Sequence, residues 1–596
     1  MRRPWSISTT VRNPERLRDF LTVLQELEGR DFNANNQVRY QVLLIQHRIY
    51  KPNDIPAAYE RFYKNPETPI PYRVAQKIFA HQRYEDPPIR GRQSANPLNK
   101  LGFAIAREEY GPIVITDLGK LFLDGDYDIG FVFFKSLLKL QFPNPWSDEF
   151  SEKDGFNIVP LIATLNLIRR LNAKSQRGGL SRTEFCLFVP TLINFSQVDG
   201  QIKTILQFRK SGDKDIFITE FAKKFYGEKV VSREKINNLF DYGDNAMRYF
   251  RLTRYFKITS DPTGSHWTLD LEDSRMTEIV QLLEKYDGKA IRFKGVNEYL
   301  NYLSDIDEPK LPWEDLSKLR EVAESLAHVI KEFVESEHLS LLADQGRLIE
   351  TETGGLQKVE LEELTSSLRA LNLDLRVKFR SSQLRNSVGK LDKIVTLLRD
   401  PRALRGVEPE QFEKLVADVF KIIDDEILIK PNYPTDDEGE PISHSPGNKS
   451  DVECFYETFG ATCEVTLNAS GLQWVQEGQP VMRHLRNFES GNEKGDVFCI
   501  FVAPRIHVDT YSTFWNSVRH GYDGKPQKIV PLTVEQFADV LEFFIVLMRD
   551  GKTISHEQLL QLYSDIVTRS SSLRGFSEWA DSISRAIEEW KVQLQP

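Results

Sequence analysis

Asp451-Val452-Glu453-Cys454-Phe455-Tyr456 and Ala461-Thr462-Cys463-Glu464-Val465-Thr466-Leu467 decide the reading of this chain. Each run alternates polar and apolar residues, the period of a half-buried strand. The few residues between them, around Glu457 to Gly460, suit a hairpin turn. A hairpin there sets Asp451 and Glu464 opposite or diagonal to each other. Opposite neighbours lie about 4.5–5.5 Å apart at Cβ and diagonals about 7–8 Å. Either spacing lets both carboxylates share one hard divalent cation, at about 2.1 Å per ligand oxygen for Mg²⁺. Two exposed strand carboxylates without any ligand would show the same spacing.

The surroundings add further titratable groups. Glu413 lies on an amphipathic helix over 410–420, before a loop holding Pro431, Pro434, Pro441 and Pro446. Glu477 and His484 follow Glu464 closely, near a helix around 480–488. A histidine beside carboxylates can move protons near neutral pH. Apolar runs at 497–502 and 528–532, with a helix from Val534, complete an alternation of strands and helices. That alternation indicates an α/β domain over 399–596.

Outward from this domain, 596 residues are enough for about three or four domains. Residues 286–398 read as helical, with Leu316, Leu319, Val322 and Leu326 at helical spacing behind the Pro309 and Pro312 boundary. They are expected to form a helical linker. Residues 1–285 hold 42 Lys and Arg against 35 Asp and Glu, a net charge of +7. The remainder carries -16 of the chain's -9. A basic first part suits an anionic partner, and an acidic second part suits cations.

Within 1–285, Ser181-Arg182-Thr183-Glu184 is a capping box and Ser232 begins another helix. Arg248-Tyr249-Phe250-Arg251 leads into a strand at 255–259, the turn Asp261-Pro262-Thr263-Gly264, and a second strand from His266 to Leu271. Helices followed by such a hairpin match the order of a winged helix, which can place a helix in the major groove of DNA. Arg248 and Arg251, one turn apart, are candidates for guanine edges or phosphates, with Arg12 and Arg73 as further candidates.

Four cysteines without a CxxC pair argue against a zinc site or a disulfide framework. The first residues lack the apolar run of a signal peptide, and the longest apolar stretches are too short to cross a bilayer. A soluble cytoplasmic protein without membrane contact is expected.

The run His444, Gly447-Asn448, Asp451, Glu464-Val465-Thr466, Glu477, Pro480-Val481 and Arg483-His484 resembles the catalytic region of the AlwI family of type IIS restriction endonucleases, which includes strand-nicking relatives. The similarity continues in Trp5, Ser8, Arg12 and Pro14-Glu15, in Gly179-Leu180-Ser181, in Arg248-Tyr249-Phe250-Arg251, in Phe501-Val502-Ala503-Pro504 and in Pro531-Leu532. Several blocks in one order are more specific than any single motif.

The resemblance implies a multidomain α+β protein. Its parts would be a recognition region with winged-helix character (1–285), a helical linker (286–398) and a PD-D/ExK nuclease domain (399–596). It implies a Mg²⁺-dependent enzyme that recognises a short asymmetric sequence in double-stranded DNA and cuts, or nicks, at a fixed distance outside it. Asp451 and Glu464 would then be metal ligands, with the Val465 carbonyl a third. Glu413, Glu477 and His484 match positions lining the family's site. A second nuclease subunit or a transient homodimer would cut the other strand, and a DNA methyltransferase would share the system. Thr466 stands where the wider nuclease pattern has Lys, and Ser450 where it has Pro. His484, helped by Glu477, is the candidate for orienting the attacking water. Two competing readings remain: a non-catalytic winged-helix regulator that binds DNA, and a defence or repair nuclease without strict sequence specificity.

Overall fold

The computed structural model describes every residue except 1, 9–10, 12, 65–67, 125–127, 146–149, 261–266, 423–426, 446–448, 493–494, 553–554 and 595–596. Arg12, the turn at Asp261 to Gly264, His266 and the Pro446-Gly447-Asn448 bend lie outside the described residues. Two compact units emerge, one from Met1–Thr259 with Trp267–Asn372, the other from Leu373–Pro596. No described helix is long and apolar enough to cross a membrane. The four cysteines are free and buried.

The first unit is mainly helical. Early in it, helices Ala34–Gln46, Tyr72–His81 and Pro87–Lys100 are followed by a small antiparallel ladder, Ala104–Ile105 with Val114–Ile115. Thr116 Oγ1 accepts the Gly119 amide at 3.0 Å and so opens the helix Asp117–Asp124. Later come helix Pro160–Asn172, strand Leu180–Ser181, helix Arg182–Phe188 and, further on, helix Arg233–Leu252. The Ser181 capping box forms on both sides, with Ser181 N–H donating to Glu184 Oε2 at 2.9 Å and Glu184 N–H to Ser181 Oγ at 3.3 Å. Strands Phe256–Ser260 and Trp267–Leu271 join Leu180–Ser181 in a three-stranded sheet with Trp267–Leu271 in the middle.

Residues 286–372 group with the first unit rather than standing apart. Helix Leu316–Ser336 binds helix Met276–Lys285 through polar contacts. Thr277 Oγ1 meets Ser325 Oγ at 2.6 Å, and Gln281 Nε2 donates to Glu321 Oε2 at 3.0 Å. Arg369 pairs with the buried Glu278 at 2.8 Å. Helices whose outer faces read as solvated spacer are thus tied down by side-chain bonds that apolar spacing does not reveal.

The second unit is a five-stranded mixed sheet wrapped by helices. Its elements are α1 (Val388–Arg399), α2 (Pro409–Phe420), β1 (Leu428–Pro431), β2 (Val452–Phe455), β3 (Phe459–Val465), α3 (Leu472–Gly491), β4 (Asp496–Ala503), α4 (Val508–His520), β5 (Ile529–Thr533), α5 (Val534–Arg549), α6 (His556–Arg569) and α7 (Phe576–Leu594). The sheet order is β5-β4-β3-β2-β1, antiparallel from β1 to β3 and parallel from β3 to β5. Parallel pairing requires crossovers, and α3 and α4 supply them. Both β3 and β4 are buried almost throughout, as central strands covered on both faces should be.

A charged network anchors α2, the helix that carries Glu413. Lys414 Nζ lies 3.0 Å from Asp418 Oδ2 and 3.4 Å from Glu440 Oε1, and Arg380 Nη1 lies 2.8 Å from the same Glu440 oxygen. Burial alone would lower the Lys414 pKa, but Asp418 and Glu440 outweigh it and raise it. Glu440→Ala leaves Lys414 short of a buried counter-charge. Because Asp418 still faces Lys414, the cost stays below the roughly 3–5 kcal/mol of a buried pair broken outright. A lowered thermal unfolding midpoint is the expected result, while Glu440→Gln should recover part of it by keeping an acceptor.

Candidate active site

The β2–β3 hairpin pairs Val452 with Cys463 and Cys454 with Ala461. Continuing that register by one step sets Asp451 directly opposite Glu464, the closer of the two arrangements open to the sequence. Glu464 is 4% exposed and Asp451 half-buried. Strand alternation sends the Cys463 thiol to the other face, so no sulfur joins the carboxylates.

Each carboxylate is held by a different group. The Val465 amide donates to Asp451 Oδ2 at 2.7 Å. His484 Nδ1 lies 2.9 Å from Glu464 Oε1, and His484 is itself buried. Glu477 and His484 sit seven positions apart on α3, two turns along one face. The Thr466 side chain lies near enough to the Glu477 carboxyl to lower its pKa. Glu413 approaches from α2. Its Oε2 accepts from the Ser445 amide at 3.3 Å, and Ser445 Oγ lies 3.2 Å from that oxygen and 3.3 Å from the Asp451 carbonyl. His444 Nδ1 is 3.5 Å from Glu413 Oε1, and its Nε2 is 3.6 Å from Glu410 Oε2.

Electrostatics bind these residues into one cluster. Burial, then the charges of Glu413 and Glu464, push the Asp451 carboxyl well above the usual carboxylate range, against the pull of the Val465 amide. Burial, then Glu477 and Glu413, do the same to Glu464, with Arg483 opposing. Glu477 is raised by burial and by Glu413, while Thr466 and His484 hold it down. A cluster of acids whose charges destabilise one another is one that a cation would relieve.

The donor chemistry fits a hard cation. Among the described residues, no three acidic, histidine or cysteine side chains close on one point as a ready-made cage. The strands instead offer Asp451, Glu464 and the Val465 carbonyl. That is an oxygen-only set which leaves coordination positions for water and a phosphate oxygen, as Mg²⁺ favours.

The structure therefore brings Asp451, Glu464, Val465, Glu413, Glu477 and His484 into one region. His444 and Ser445 are additions. They lie in a proline-rich loop without periodicity; His444 opens the run that carries the family resemblance, and no sequence signal singled out Ser445. Among the arginines, Arg73 is exposed on helix Tyr72–His81. Arg248 shares Asp244 with Arg182, at 3.3 Å from Asp244 Oδ2. Arg251 is 6% exposed and lies inside the fold, so the expectation that it meets DNA is corrected. At Gly243 the helix Arg233–Leu252 packs closely on helix Arg182–Phe188. A Cβ on Gly243 would come within 2.2 Å of the Cys186 Cα.

The sequence model of the AlwI restriction endonuclease family matches residues 99–540, about three quarters of the chain. That model describes restriction endonucleases, site-specific deoxyribonucleases that act on DNA. This chain belongs to the AlwI restriction endonuclease family. No curated protein matches it. Among solved structures, it resembles the small subunit (R.BspD6I2) of the heterodimeric restriction endonuclease R.BspD6I, at 22% identity over 34% of this chain and 100% of that one, with a TM-score of 0.27. It also resembles restriction endonuclease FokI at 12% identity over 94% of this chain and 99% of that one, TM-score 0.23. FokI bound to DNA matches at 12% identity over 94% and 98%, TM-score 0.22.

Proposed function

We propose that this chain is a Mg²⁺-dependent type IIS endonuclease, with a PD-D/ExK-type site in the second unit and sequence recognition in the first. The observation that carries it is Asp451 facing Glu464 across the β2–β3 hairpin, inside a cluster of further acids. Bound between them, Mg²⁺ would stabilise the extra charge on phosphorus and make the attacking water more acidic. Asp451 and Glu464 would hold it, while the Val465 amide orients Asp451 and the His484 imidazole orients Glu464. Glu477, beside Thr466, receives the proton of the water at a carboxylate oxygen. Ser445 and His444 hold Glu413 at the edge of the site.

In the first unit, helices Arg182–Phe188 and Arg233–Leu252 precede strands Phe256–Ser260 and Trp267–Leu271, an order that supports a winged-helix recognition role. One site per chain cuts one strand, so cleavage of both strands requires a second copy or a partner nuclease subunit. A DNA methyltransferase protecting the same sequence would complete the system.

Incubation of the full chain with supercoiled plasmid, with MgCl₂ or with EDTA, tests the reading. Sequenced ends should lie at a constant offset from one short asymmetric sequence, and EDTA should abolish them. Cleavage at unrelated positions would refute the type IIS reading. Cleavage unchanged in Asp451→Ala would refute the site.

A further inference from the structure

Helix Pro87–Lys100 divides its residues by face in a way that packing does not explain. Gly91, Ser94, Ala95 and Leu98 are buried on one side. Ile89, Arg92, Gln93 and Asn96, spaced i, i+3, i+4 and i+7, form a stripe on the other. Ile89 is 37% exposed, a large apolar side chain at the surface. The stripe combines the residue types that read base edges. Arg recognises guanine, Asn and Gln recognise adenine, and an apolar group meets the thymine methyl.

The helix is rigidly mounted. A Cβ on Gly91 would lie 2.0 Å from the Gln37 carbonyl oxygen, so only glycine lets this helix approach helix Ala34–Gln46 so closely. Ser94 Oγ donates to Gln41 Oε1 at 2.8 Å beside that contact. Arg92 is set in place by Gln37 Oε1 at 2.9 Å and Asp86 Oδ2 at 2.7 Å. Arg90 stacks over the Tyr84 ring at 4.4 Å and so serves the fold.

The surroundings match a duplex. Residues 72–100 hold six Lys and Arg against two Asp and Glu. Arg73, Lys77 and Arg83, on the preceding helix and turn, are exposed. A cleft of about 420 Å³ is lined by Arg92, Gln93 and Asn96 together with Arg107, Glu108 and Glu109 of the segment between the two short strands. Those glutamates repel phosphate, which leaves the DNA backbone to the basic residues outside the cleft. A 14-residue helix is about 21 Å long and 10–12 Å across, which fits a major groove about 12 Å wide.

We propose that helix Pro87–Lys100 enters the DNA major groove and selects bases through Ile89, Arg92, Gln93 and Asn96, while Arg73, Lys77 and Arg83 hold the phosphates. The proposal rests on the endonuclease reading and goes beyond it by naming the specificity surface.

The test uses the full-length chain. Its recognition sequence is first read from wild-type cleavage ends, and binding is then measured on duplexes carrying every single base-pair change. Gln93→Ala and Asn96→Ala should each weaken cognate binding about 10- to 100-fold and flatten preference at one or two base pairs. A purely structural role would instead lower the melting temperature and weaken all duplexes together. The Arg73→Ala, Lys77→Ala double variant should bind every duplex less tightly, with a salt slope smaller by about one per residue. A wild type with sharp preference whose Gln93→Ala and Asn96→Ala forms keep it at every base pair would overturn this proposal alone. A wild type without any preference would overturn the restriction reading and this proposal together.

Discussion

Asp451→Asn is expected to abolish DNA cleavage and, at the same time, to raise the melting temperature of the metal-free protein. The two effects have one origin. Asn is nearly isosteric, and its side-chain carbonyl can still accept the Val465 amide, which now bonds Asp451 at 2.7 Å. The substitution removes a negative charge from beside Glu413, Glu464 and Glu477. Loss of a metal ligand removes several kcal/mol of transition-state stabilisation, on the order of a thousand-fold in rate. Relief of like-charge repulsion by about 1 kcal/mol moves the melting temperature of a unit this size up by roughly 2–4 °C. Calorimetry of both proteins in EDTA, beside a plasmid nicking assay, measures the pair of effects. An Asn variant that melts lower than wild type would show that Asp451 is a structural hydrogen-bonding residue.

The pH dependence has a definite sign. Asp451, Glu464 and Glu477 all have folded pKa values raised above the ordinary ones. The folded chain therefore keeps protons that the unfolded chain releases. Their contribution to stability is complete below the ordinary carboxylate range and is lost as pH climbs through the raised values. Metal-free wild type should melt lower at about pH 8 than at about pH 5.5, with a shallower slope in Asp451→Asn. Mg²⁺ should reverse the loss at the alkaline end, because the ion binds the deprotonated cluster. A hundred-fold excess over its Kd contributes about 2.7 kcal/mol.

The legible parts of this protein were those that a strand or helix period encodes. Asp451 and Glu464 could be paired from sequence because a short hairpin leaves only a few registers, and the structure selects the direct one. Glu477 and His484 were read from their nearness to Glu464 and from the family resemblance, and α3, which begins at Leu472 rather than near Pro480, carries both. Ser445 was not legible, since its contacts depend on a proline-rich loop folding back onto α2. Arginines read worst. Arg248 and Arg251 looked alike in sequence, yet Arg251 is buried and Arg248 shares an aspartate with Arg182. Helix Pro87–Lys100 escaped notice because two leading prolines, Gly91 and Pro97 suppress the usual helix signal, although the same Gly91 is what seats it.

Glu477→Gln is expected to lower cleavage by about 10²- to 10⁴-fold without recovery at high Mg²⁺, the range for loss of a general base. His484→Ala should be milder, about 10- to 100-fold, and should recover as Mg²⁺ is raised. The difference comes from what each side chain touches. His484 Nδ1 is committed to Glu464 Oε1 at 2.9 Å, so the imidazole orients a ligand rather than a water. Glu477 stands beside Thr466, the residue in the place where the wider nuclease pattern has Lys, and its raised pKa makes it a stronger base than an ordinary carboxylate. The Thr466 hydroxyl lowers that pKa, so Thr466→Val should raise it and move the rising limb of the pH–rate profile to higher pH. Glu477→Gln should remove the limb altogether. The reverse pattern, with His484→Ala inactive at every Mg²⁺ concentration and Glu477→Gln nearly normal, would return the general base to His484. DNA binding measured alongside in EDTA separates either outcome from a loss of affinity.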